Sequence, residues 1–423
     1  MIAMNRRILA AGVLAGLFAT SAFAGTHALL PATPTDMVPV ALQAAPAPLP
    51  ATAAALAGVD IPRPHAEHQP VSVSWALPAD APVNPVPQPF ARTSREYWTD
   101  VSATEMQRGV ELPLSAPGAV IRVSPSDPKG GRLDAAAVTF RMNGQTLAGD
   151  RAASTVGDVA SLRAAGMAVP DASLVMQLRP ELGAGPATLQ APNASGRYVV
   201  HVFEPKSPFT VTAKADRDDL LLGQRLHLDV AMKDGDRQRP LQAVGGFLRA
   251  PDGSTTLLDY HANADGSFST DVAPVQPSST PGLWELHSFT IGDDGQGHAV
   301  RRDTTSVFAV ATPDAKLDGT ADTRRAGRHG IDIALGVTVD SASRFAVSGV
   351  LYGRDAKGRM VPGAFAQSAA WLTPGERQLV LHFDPSSVAG IGAPYELRDL
   401  RLQDQPAISL VERRALALRF DRP

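Results

Sequence analysis

Apolar and polar residues alternate with a period of two along much of the chain after residue 93. The clearest instance is residues 331–339, where every second position is apolar. Successive side chains of a strand point to opposite faces, so this pattern predicts a strand with one buried face. Residues 225–230 and 379–383 repeat the pattern. Many short strands with almost no helical periodicity predict a mainly β protein of tandem β-sandwich domains.

Turn residues and prolines divide these strands into three units. We expect an N-terminal β-rich domain at residues 93–205, an Ig-like β-sandwich at residues 206–312 and a C-terminal Ig-like β-sandwich at residues 313–423. Turn pairs such as Asn143-Gly144 and Asp252-Gly253 separate neighbouring strands. The last two units should have separate cores, so a fragment that begins near Pro313 should fold alone.

Two local patterns predict departures from plain strands. In the first unit, residues 155–158 are typical of a helix N-terminus, and Val159 and Leu162 then share a face, so a short helix should follow. In the second unit, Trp284 and Leu286 share one parity whereas the next apolar residues, Phe289 and Ile291, have the other. This change predicts a β-bulge near Ser288.

The segment before the first unit, residues 25–92, is rich in proline and alanine. Proline fixes φ and removes a backbone donor, so this composition is typical of a semi-extended linker. The alternative is a leader packed loosely over the first domain. Within it, residues 71–75 could add an edge strand.

The N-terminus has the three parts of a bacterial signal peptide. Arg6 and Arg7 form a basic start, residues 8–18 are apolar, and Ala22-Phe23-Ala24 provides small residues for cleavage before Gly25. We therefore expect residues 1–24 to be removed on export to the periplasm, the cell surface or the medium. The alternative is an uncleaved membrane anchor, although the apolar run is shorter than the ~20 residues that a spanning helix needs. No later segment is long and apolar enough to span a bilayer.

Composition removes several classes of function. Charged residues make up 19% of the 423 residues, the formal net charge is -3, and lysine and arginine do not cluster, so nucleic acid is not an expected partner. The chain has no cysteine, which excludes disulfides, thiol nucleophiles and cysteine-ligated zinc. Each domain must therefore be stabilised by its own packed interior.

Two local clusters suggest metal binding, and both have simpler explanations. His65-Ala66-Glu67-His68 has two nearby histidines, but prolines surround it and the helical zinc-protease spacing is missing. Residues 261–266 have the spacing of half a calcium loop, yet His261 replaces the first carboxylate and Val272 replaces the last. An exposed linker and a hairpin turn, respectively, are the favoured interpretations. The Asp-Gly segments at residues 234–236 and 293–297 are interpreted as turns, with a structural cation left open.

Catalytic motifs are missing: there is no nucleophile elbow, dinucleotide fingerprint or phosphate-binding loop. A dispersed catalytic triad is left open, but four histidines fall on the outward parity of predicted strands, which favours solvated faces: His201, His227, His287 and His382. Tyr97-Trp98 and Trp371 could stack against sugars or peptides, although core packing is the commoner role. We therefore assign no catalytic, cofactor-binding or metal-binding residue and expect no cofactor.

Several motifs resemble those of one uncharacterised family of exported bacterial proteins. Residues 394–402 and 410–414 are similar to its C-terminal domain, 282–286 and 301–303 to its Ig-like middle domain, and 109–114 and 117–122 to its first domain. The resemblance covers most of the chain after the linker. It implies a distinct N-terminal domain followed by two Ig-like domains, and it implies no catalytic residues.

These observations favour an exported, non-enzymatic protein that binds a protein or glycan partner through its β-sandwich surfaces. One alternative is a hydrolase of envelope polymers or peptides with its site in the N-terminal domain, where Tyr97 and Trp98 lie. Another is a carbohydrate-binding module. A deep pocket with convergent carboxylates or a His–Ser pair would favour the hydrolase.

Overall fold

The computed structural model describes residues 25–42, 67–83, 86–127, 129–157, 159–164, 166, 170 and 172–423. Within them the protein is mainly β, with several sheets that stack in pairs, so the predicted tandem β-sandwich class is confirmed. The predicted signal peptide, residues 1–24, lies outside the described residues. Three short strands come first: β1 (Gly25–Ala28), β2 (Val71–Ala76) and β3 (Phe90–Ser94).

The first core lies between a five-stranded and a four-stranded sheet. Its strands are β4 (Glu96–Ser102), β5 (Val110–Leu114), β6 (Val120–Pro125), β7 (Thr139–Met142), β8 (Gln145–Ala148), β9 (Ala153–Gly157), β10 (Leu174–Leu178), β11 (Gly185–Gln190) and β12 (Arg197–Phe203). The sheet orders are β4-β12-β6-β10-β9 and β5-β11-β7-β8. Inward side chains such as Leu112, Ile121 and Phe140 are buried between them.

Three short helices connect strands of the first core: α1 (Ala103–Arg108), α2 (Gly149–Ala152) and α3 (Val159–Ala164), with 3-10 turns at Ala135–Ala137 and Pro180–Leu182. The α3 helix is the predicted one, but it begins later than its predicted cap, because residues 155–157 still belong to β9. Sequence analysis missed α1. A capping box begins α1: the Ser102 hydroxyl accepts the Glu105 amide, and the Glu105 carboxylate accepts the Ser102 amide at 2.8 Å.

The second core also lies between two sheets. Its strands are β13 (Phe209–Ala215), β14 (Asp219–Leu221), β15 (Leu226–Asp234), β16 (Arg237–Arg239), β17 (Leu241–Arg249), β18 (Thr255–Leu257), β19 (His261–Ala262), β20 (Phe268–Val272), β21 (Trp284–Asp293) and β22 (Ala299–Ala311). One sheet has the order β19-β20-β15-β13-β3 with β16 beside β15, and the other has the order β14-β22-β21-β17-β18. Buried residues between them include Val211, Leu228 and Leu286.

The third core has the longest strands. They are β23 (Ala315–Ala326), β24 (Gly330–Val339), β25 (Ser343–Arg354), β26 (Met360–Leu372), β27 (Gly375–Phe383), β28 (Gly392–Asp404) and β29 (Ser409–Phe420). One sheet has the order β1-β23-β24-β27 and the other β2-β26-β25-β28-β29. The alternating segment at residues 331–339 is the central strand β24, and its apolar side chains are buried as the pattern predicts.

The order of the strands along the chain is nested. Strands β1 and β2 belong to the third core and β3 to the second, and only then does the chain enter the first core. It returns through β13, which pairs with β3 from Val211↔Ser94 to Ala215↔Phe90. The first core is therefore inserted between two neighbouring strands of the second. The first and second cores together are inserted between β2 and β23 of the third.

This arrangement differs from the expected linker at residues 25–92, which contributes three strands to the second and third cores. All three strands lie at an edge of their sheets, where a strand needs backbone partners on one side only. Short segments between prolines can form the backbone hydrogen bonds that one such side needs. Residues 71–75, left open as an edge strand, lie in β2 and pair with β26. Residues 43–66, the most proline- and alanine-rich part of this segment, lie outside the described residues.

The predicted bulge near Ser288 is wrong. Strand β21 pairs with β22 without a register shift from Trp284↔Phe308 to Asp293↔Ala299. Ser288 continues the inward face, and Phe289 faces outward, where its ring meets Trp98 of the first core edge-on at 6.5 Å. The first core covers the outward side of β21 at Phe289. Apolar residues therefore lie on both faces of this strand. Among the described residues, no helix has the length and apolar character needed to cross a membrane.

Candidate functional site

Neither suggested metal cluster assembles a metal site among its described residues. His65 lies outside the described residues, and the ring of His68 stacks on Trp371 at 4.2 Å. In the calcium-like loop, the Asp265 carboxylate accepts the amide and hydroxyl of Ser267 at 3.0 and 2.6 Å. These bonds lower the pKa of Asp265 to about 2. The loop is therefore a hairpin turn, and the described residues contain no group of three or more metal-ligating side chains.

The Asp-Gly turns at residues 234–236 and 293–297 also satisfy their carboxylates locally. Asp234 pairs with Arg239 at 3.3 Å. The Asp293 carboxylate accepts a hydrogen bond from the amide of Gly295 at 2.6 Å. The Asp294 carboxylate lies 2.8 Å from Nδ1 of His298, within hydrogen-bond distance. These contacts explain the turns without a cation.

The four strand histidines face outward, as predicted, and each contacts a carboxylate. His201 lies 2.9 Å from Glu96, His227 lies 2.8 Å from Asp271, and His287 lies 2.8 Å from Glu285. His382 contacts Asp332 and Asp384. His287 also contacts the Thr305 hydroxyl at 3.3 Å, and Ser74 donates to Asp384 at 2.8 Å without contacting His382. Among the described contacts of these four imidazoles, none is to a serine hydroxyl.

The aromatic candidates serve packing instead of forming open platforms. Tyr97 is completely buried in the first core, and its hydroxyl donates to the carbonyl of Pro113. Trp98 is half-buried against Phe289 at the junction with the second core. Trp371 is covered on one side by His68. These positions do not favour the carbohydrate-binding alternative.

The hydrolase alternative placed its site in the first core. A hollow of about 320 Å³ there is lined by residues that include Arg132, Asp134 and Ser173. The Asp134 carboxylate caps the following 3-10 turn by accepting the amide of Ala136 at 3.1 Å, and the Ser173 hydroxyl bonds to Ser124 at 2.7 Å. Asp134 and Ser173 therefore already have structural partners, so the geometry of this hollow does not favour hydrolysis.

Sequence analysis missed a buried ion pair at the junction of the first and second cores. Arg302 of β22 lies 2.7 Å from Glu204, and both side chains are completely buried. The Glu204 carboxylate also accepts the amides of Ser115 and Ala116 at 2.6 and 3.0 Å. The guanidinium donates to the Ser207 hydroxyl at 2.7 Å and to a backbone carbonyl of the second core. This buried polar network thus bonds Glu204 and Ser207, which lie between the two cores in the chain, to β22 of the second core and to residues 115–116 of the first.

Asp303, next in the chain, faces the first core from the other side of β22. Its carboxylate accepts the amide of Trp98 at 2.8 Å. Burial nevertheless raises the pKa of Asp303 to about 7, because it outweighs that hydrogen bond and the nearby arginines. The side chains of Arg302 and Asp303 are buried, so we interpret this polar network as structural.

The largest cleft among the hollows described here, about 480 Å³, lies where the second core meets the third. One wall is the loop at residues 277–282 with the start of β21 at Trp284. The other wall is the turn between β28 and β29, represented by Ala407 and Ser409. The end of β22 and the following residues 311–314 connect the two walls.

Two carboxylates line this cleft, Asp314 and Asp404. They are only 4% and 7% exposed. The Asp404 carboxylate accepts the Ser343 hydroxyl at 2.7 Å, whereas Asp314 Oδ1 has no hydrogen-bond partner among the described residues. Burial, followed by the negative charge of Asp404, raises the pKa of Asp314. An unpartnered polar atom in such a position is costly unless a ligand or a proton satisfies it.

Exposed apolar side chains lie on the segments that form the cleft. Leu283 is 56% exposed and Ile408 is 93% exposed, and each lies directly beside lining residues. Ile408 also has a φ of 51°, a left-handed conformation that strains a β-branched residue. The cleft therefore combines an acidic interior with apolar walls and rim, which suits ligand binding. The sequence showed residues 312–314 only as a break between domains.

Comparison with protein-family models finds similarity to one family at both ends of the chain. The model for the N-terminal domain of the domain of unknown function DUF4785 matches residues 62–204. The model for the C-terminal domain of the same family matches residues 314–421. No curated protein sequence matches the chain.

Comparison with solved structures gives the same relationship. A crystal structure of a DUF4785 family protein from Legionella pneumophila aligns with 92% of this chain and 98% of its own, at 20% identity and a TM-score of 0.66. This similarity shows a shared fold. A Ca²⁺-stabilised adhesin that helps an Antarctic bacterium bind ice aligns over 72% of this chain and 69% of its own, at 16% identity and a TM-score of 0.19. The C-terminal globular domain of an oligosaccharyltransferase from Pyrococcus abyssi aligns over 53% of this chain and 51% of its own, at 13% identity and a TM-score of 0.14. These two scores are too low to support an argument.

Proposed function

The chain belongs to the DUF4785 family, whose function is unknown, and from this premise we propose that it is an exported, non-enzymatic binding protein. We place its binding site at the cleft between the second and third cores. The observation that carries this proposal is the carboxylate of Asp314, buried at the cleft without a hydrogen-bond partner for Oδ1 among the described residues.

The geometry of the cleft supports binding for three reasons. Its volume of about 480 Å³ lies within the ~300–1,000 Å³ typical of small-molecule sites. Its walls come from different cores, and sites of this kind often lie at domain interfaces. Leu283 and Ile408 leave apolar surface uncovered on the adjoining segments, and a bound partner would remove it from water.

The proposal of export rests on the N-terminal sequence. A basic start, an apolar stretch and small residues at positions 22 and 24 precede Gly25. The first described strand, β1, begins at Gly25 and pairs with β23 from that residue onward. Cleavage before Gly25 would therefore keep Gly25–Ala28 of this strand in the mature chain.

A ligand panel tests the binding site directly. The mature chain is screened by thermal shift against amines, carboxylic acids, sugars and short peptides, in parallel with Ala407→Trp, which fills the cleft from an exposed turn. Ala356→Trp is the matched control, because Ala356 is also exposed on a turn but does not line the cleft. We expect at least one compound class to stabilise the wild type and Ala356→Trp, and not Ala407→Trp. Stabilisation that survives in Ala407→Trp, or none with any class, would overturn the proposed site.

Fractionation tests export. Mass spectrometry of the native protein should find a chain that starts at Gly25 in the periplasm, on the surface or in the medium. Recovery in the cytoplasm alone, with residues 1–24 still attached, would contradict it.

A further inference from the structure

The charge at the cleft is uncompensated. The charges that act most strongly on Asp314 belong to Asp404 and Asp340, and both are negative. Asp404 has a neutral hydroxyl partner, Ser343. Two other buried carboxylates of this protein have cations beside them: Glu204 pairs with Arg302 at 2.7 Å, and Glu412 pairs with Arg414 at 2.7 Å. The Asp314–Asp404 pair therefore lacks the kind of partner that comparable groups in the same chain have.

The walls around this pair are largely apolar. They include Pro251, Pro277, Trp284 and Val310. Such walls exclude water from a bound group and strengthen its electrostatic attraction to the carboxylates. They also suit an apolar body better than a fully hydrated ion. The occupant that complements both features carries a positive charge at one end and an apolar group at the other.

An organic ammonium group fits this chemistry better than a metal ion. Calcium takes about six to eight oxygen ligands, and the described residues hold no cluster of three or more metal-ligating side chains. An ammonium group needs about three acceptors, since it has three N–H donors. The side chains of Asp314 and Asp404, two residues that line the cleft, can supply two of them.

We propose that the cleft binds a small organic cation, with a primary ammonium group against Asp314 and Asp404 and an apolar body along Trp284 and the proline-rich wall. This inference rests on the proposed function and adds the ligand class. It makes the cation the partner that the buried pair lacks.

Three compounds with one aromatic body test the charge requirement: phenethylamine, 2-phenylethanol and phenylacetate. Binding to the mature chain is measured by isothermal titration calorimetry. We expect phenethylamine to bind best, and Asp314→Asn to weaken it by about tenfold or more, because a hydrogen bond to a charged group is lost. Asp404→Asn is the second variant, in case Asp314→Asn fails to fold.

The matched control is Asp303→Asn, because Asp303 is also a buried carboxylate with a raised pKa but lies at the other junction. It should bind phenethylamine as the wild type does. Equal binding of the three compounds, or full affinity in both Asp314→Asn and Asp404→Asn, would overturn the cationic specificity. If Ala407→Trp still abolishes that binding, the proposed site stands and only the ligand class fails. If phenethylamine binds equally well to Ala407→Trp, or does not bind the wild type, the inference is also overturned.

Discussion

Removing Arg302 should loosen the junction between the first and second cores. Arg302→Met keeps an apolar stem but leaves the completely buried Glu204 carboxylate without its cation. Breaking a buried ion pair from one side costs about 3–5 kcal/mol, since a charge remains in an apolar site. Glu204 keeps the two amides of Ser115 and Ala116 and the Ser115 hydroxyl as donors. We therefore expect a loss at the low end, about 3 kcal/mol.

The assay must report on the junction as well as on the whole chain. Three cores need not unfold in one transition, so urea unfolding of the full chain should be combined with local hydrogen exchange. Faster exchange is expected in residues 204–211 and 299–308, which carry the network. Arg359→Met is the matched control, because the pair of Arg359 with Asp355 is 63% exposed on its arginine side. Exposed pairs contribute about 0–1 kcal/mol.

A double variant separates the charge effect from packing. Glu204→Leu combined with Arg302→Met removes both charges, so the double variant should be less destabilised than the sum of the two single variants. A loss below about 1 kcal/mol for Arg302→Met, or strict additivity in the double variant, would refute the reasoning, since coupled buried pairs do not behave so.

Three further predictions follow from particular contacts. Because the pKa of Asp303 is raised, the folded state holds a proton that the unfolded state releases. This residue's contribution to stability should therefore be full below about pH 4 and lost as the pH rises to about 7. In urea titrations at several pH values, Asp303→Asn should remove this pH dependence, and an unchanged profile would contradict the prediction. Gly246→Ala should be strongly destabilising, because the new Cβ would lie 2.1 Å from the carbonyl oxygen of His287, whereas Gly245→Ala, which meets nothing within 4 Å, should be tolerated in the same melts. The sequence led us to expect that a fragment beginning near Pro313 folds alone, but β1 and β2 pair with its β23 and β26. Residues 313–423 should therefore unfold with poor cooperativity, and joining residues 25–80 to them should restore a cooperative melt. A cooperative melt of the short fragment would show that these strands are dispensable.

The sequence predicts best where one pattern has one cause. Residues 331–339 alternate and form β24 as expected, although the residues between the apolar positions are also mostly buried. The prediction of a bulge failed in β21, a strand of the second core that also contacts the first core. Phe289 broke the parity of β21 because its outer face packs on the first core, and no bulge was needed.

Edge pairing and the candidate cleft were harder to predict, because each depends on residues distant in sequence. Gly25–Ala28 pairs with a strand about 300 residues later, and no local signal in a proline-rich segment identifies that partner. Asp314 precedes β23 and Asp404 ends β28, so the two residues are far apart in the sequence although they line one cleft. In the sequence, Asp314 looked like part of a linker. The run Arg301-Arg302-Asp303 lies inside β22, where consecutive charged residues include buried ones, but the sequence analysis treated it only as a family motif.

The most direct test of the central claim, that the cleft between the second and third cores is a binding site, uses the four tryptophan indole N–H signals of the ¹⁵N-labelled mature protein. Trp284 lines the cleft, whereas Trp75, Trp98 and Trp371 do not, and Trp284→Phe assigns its signal. On titration with phenethylamine, we predict a saturable shift of the Trp284 signal while the other three stay in place. Saturation that moves Trp98 or Trp371 and leaves Trp284 unchanged would contradict the claim.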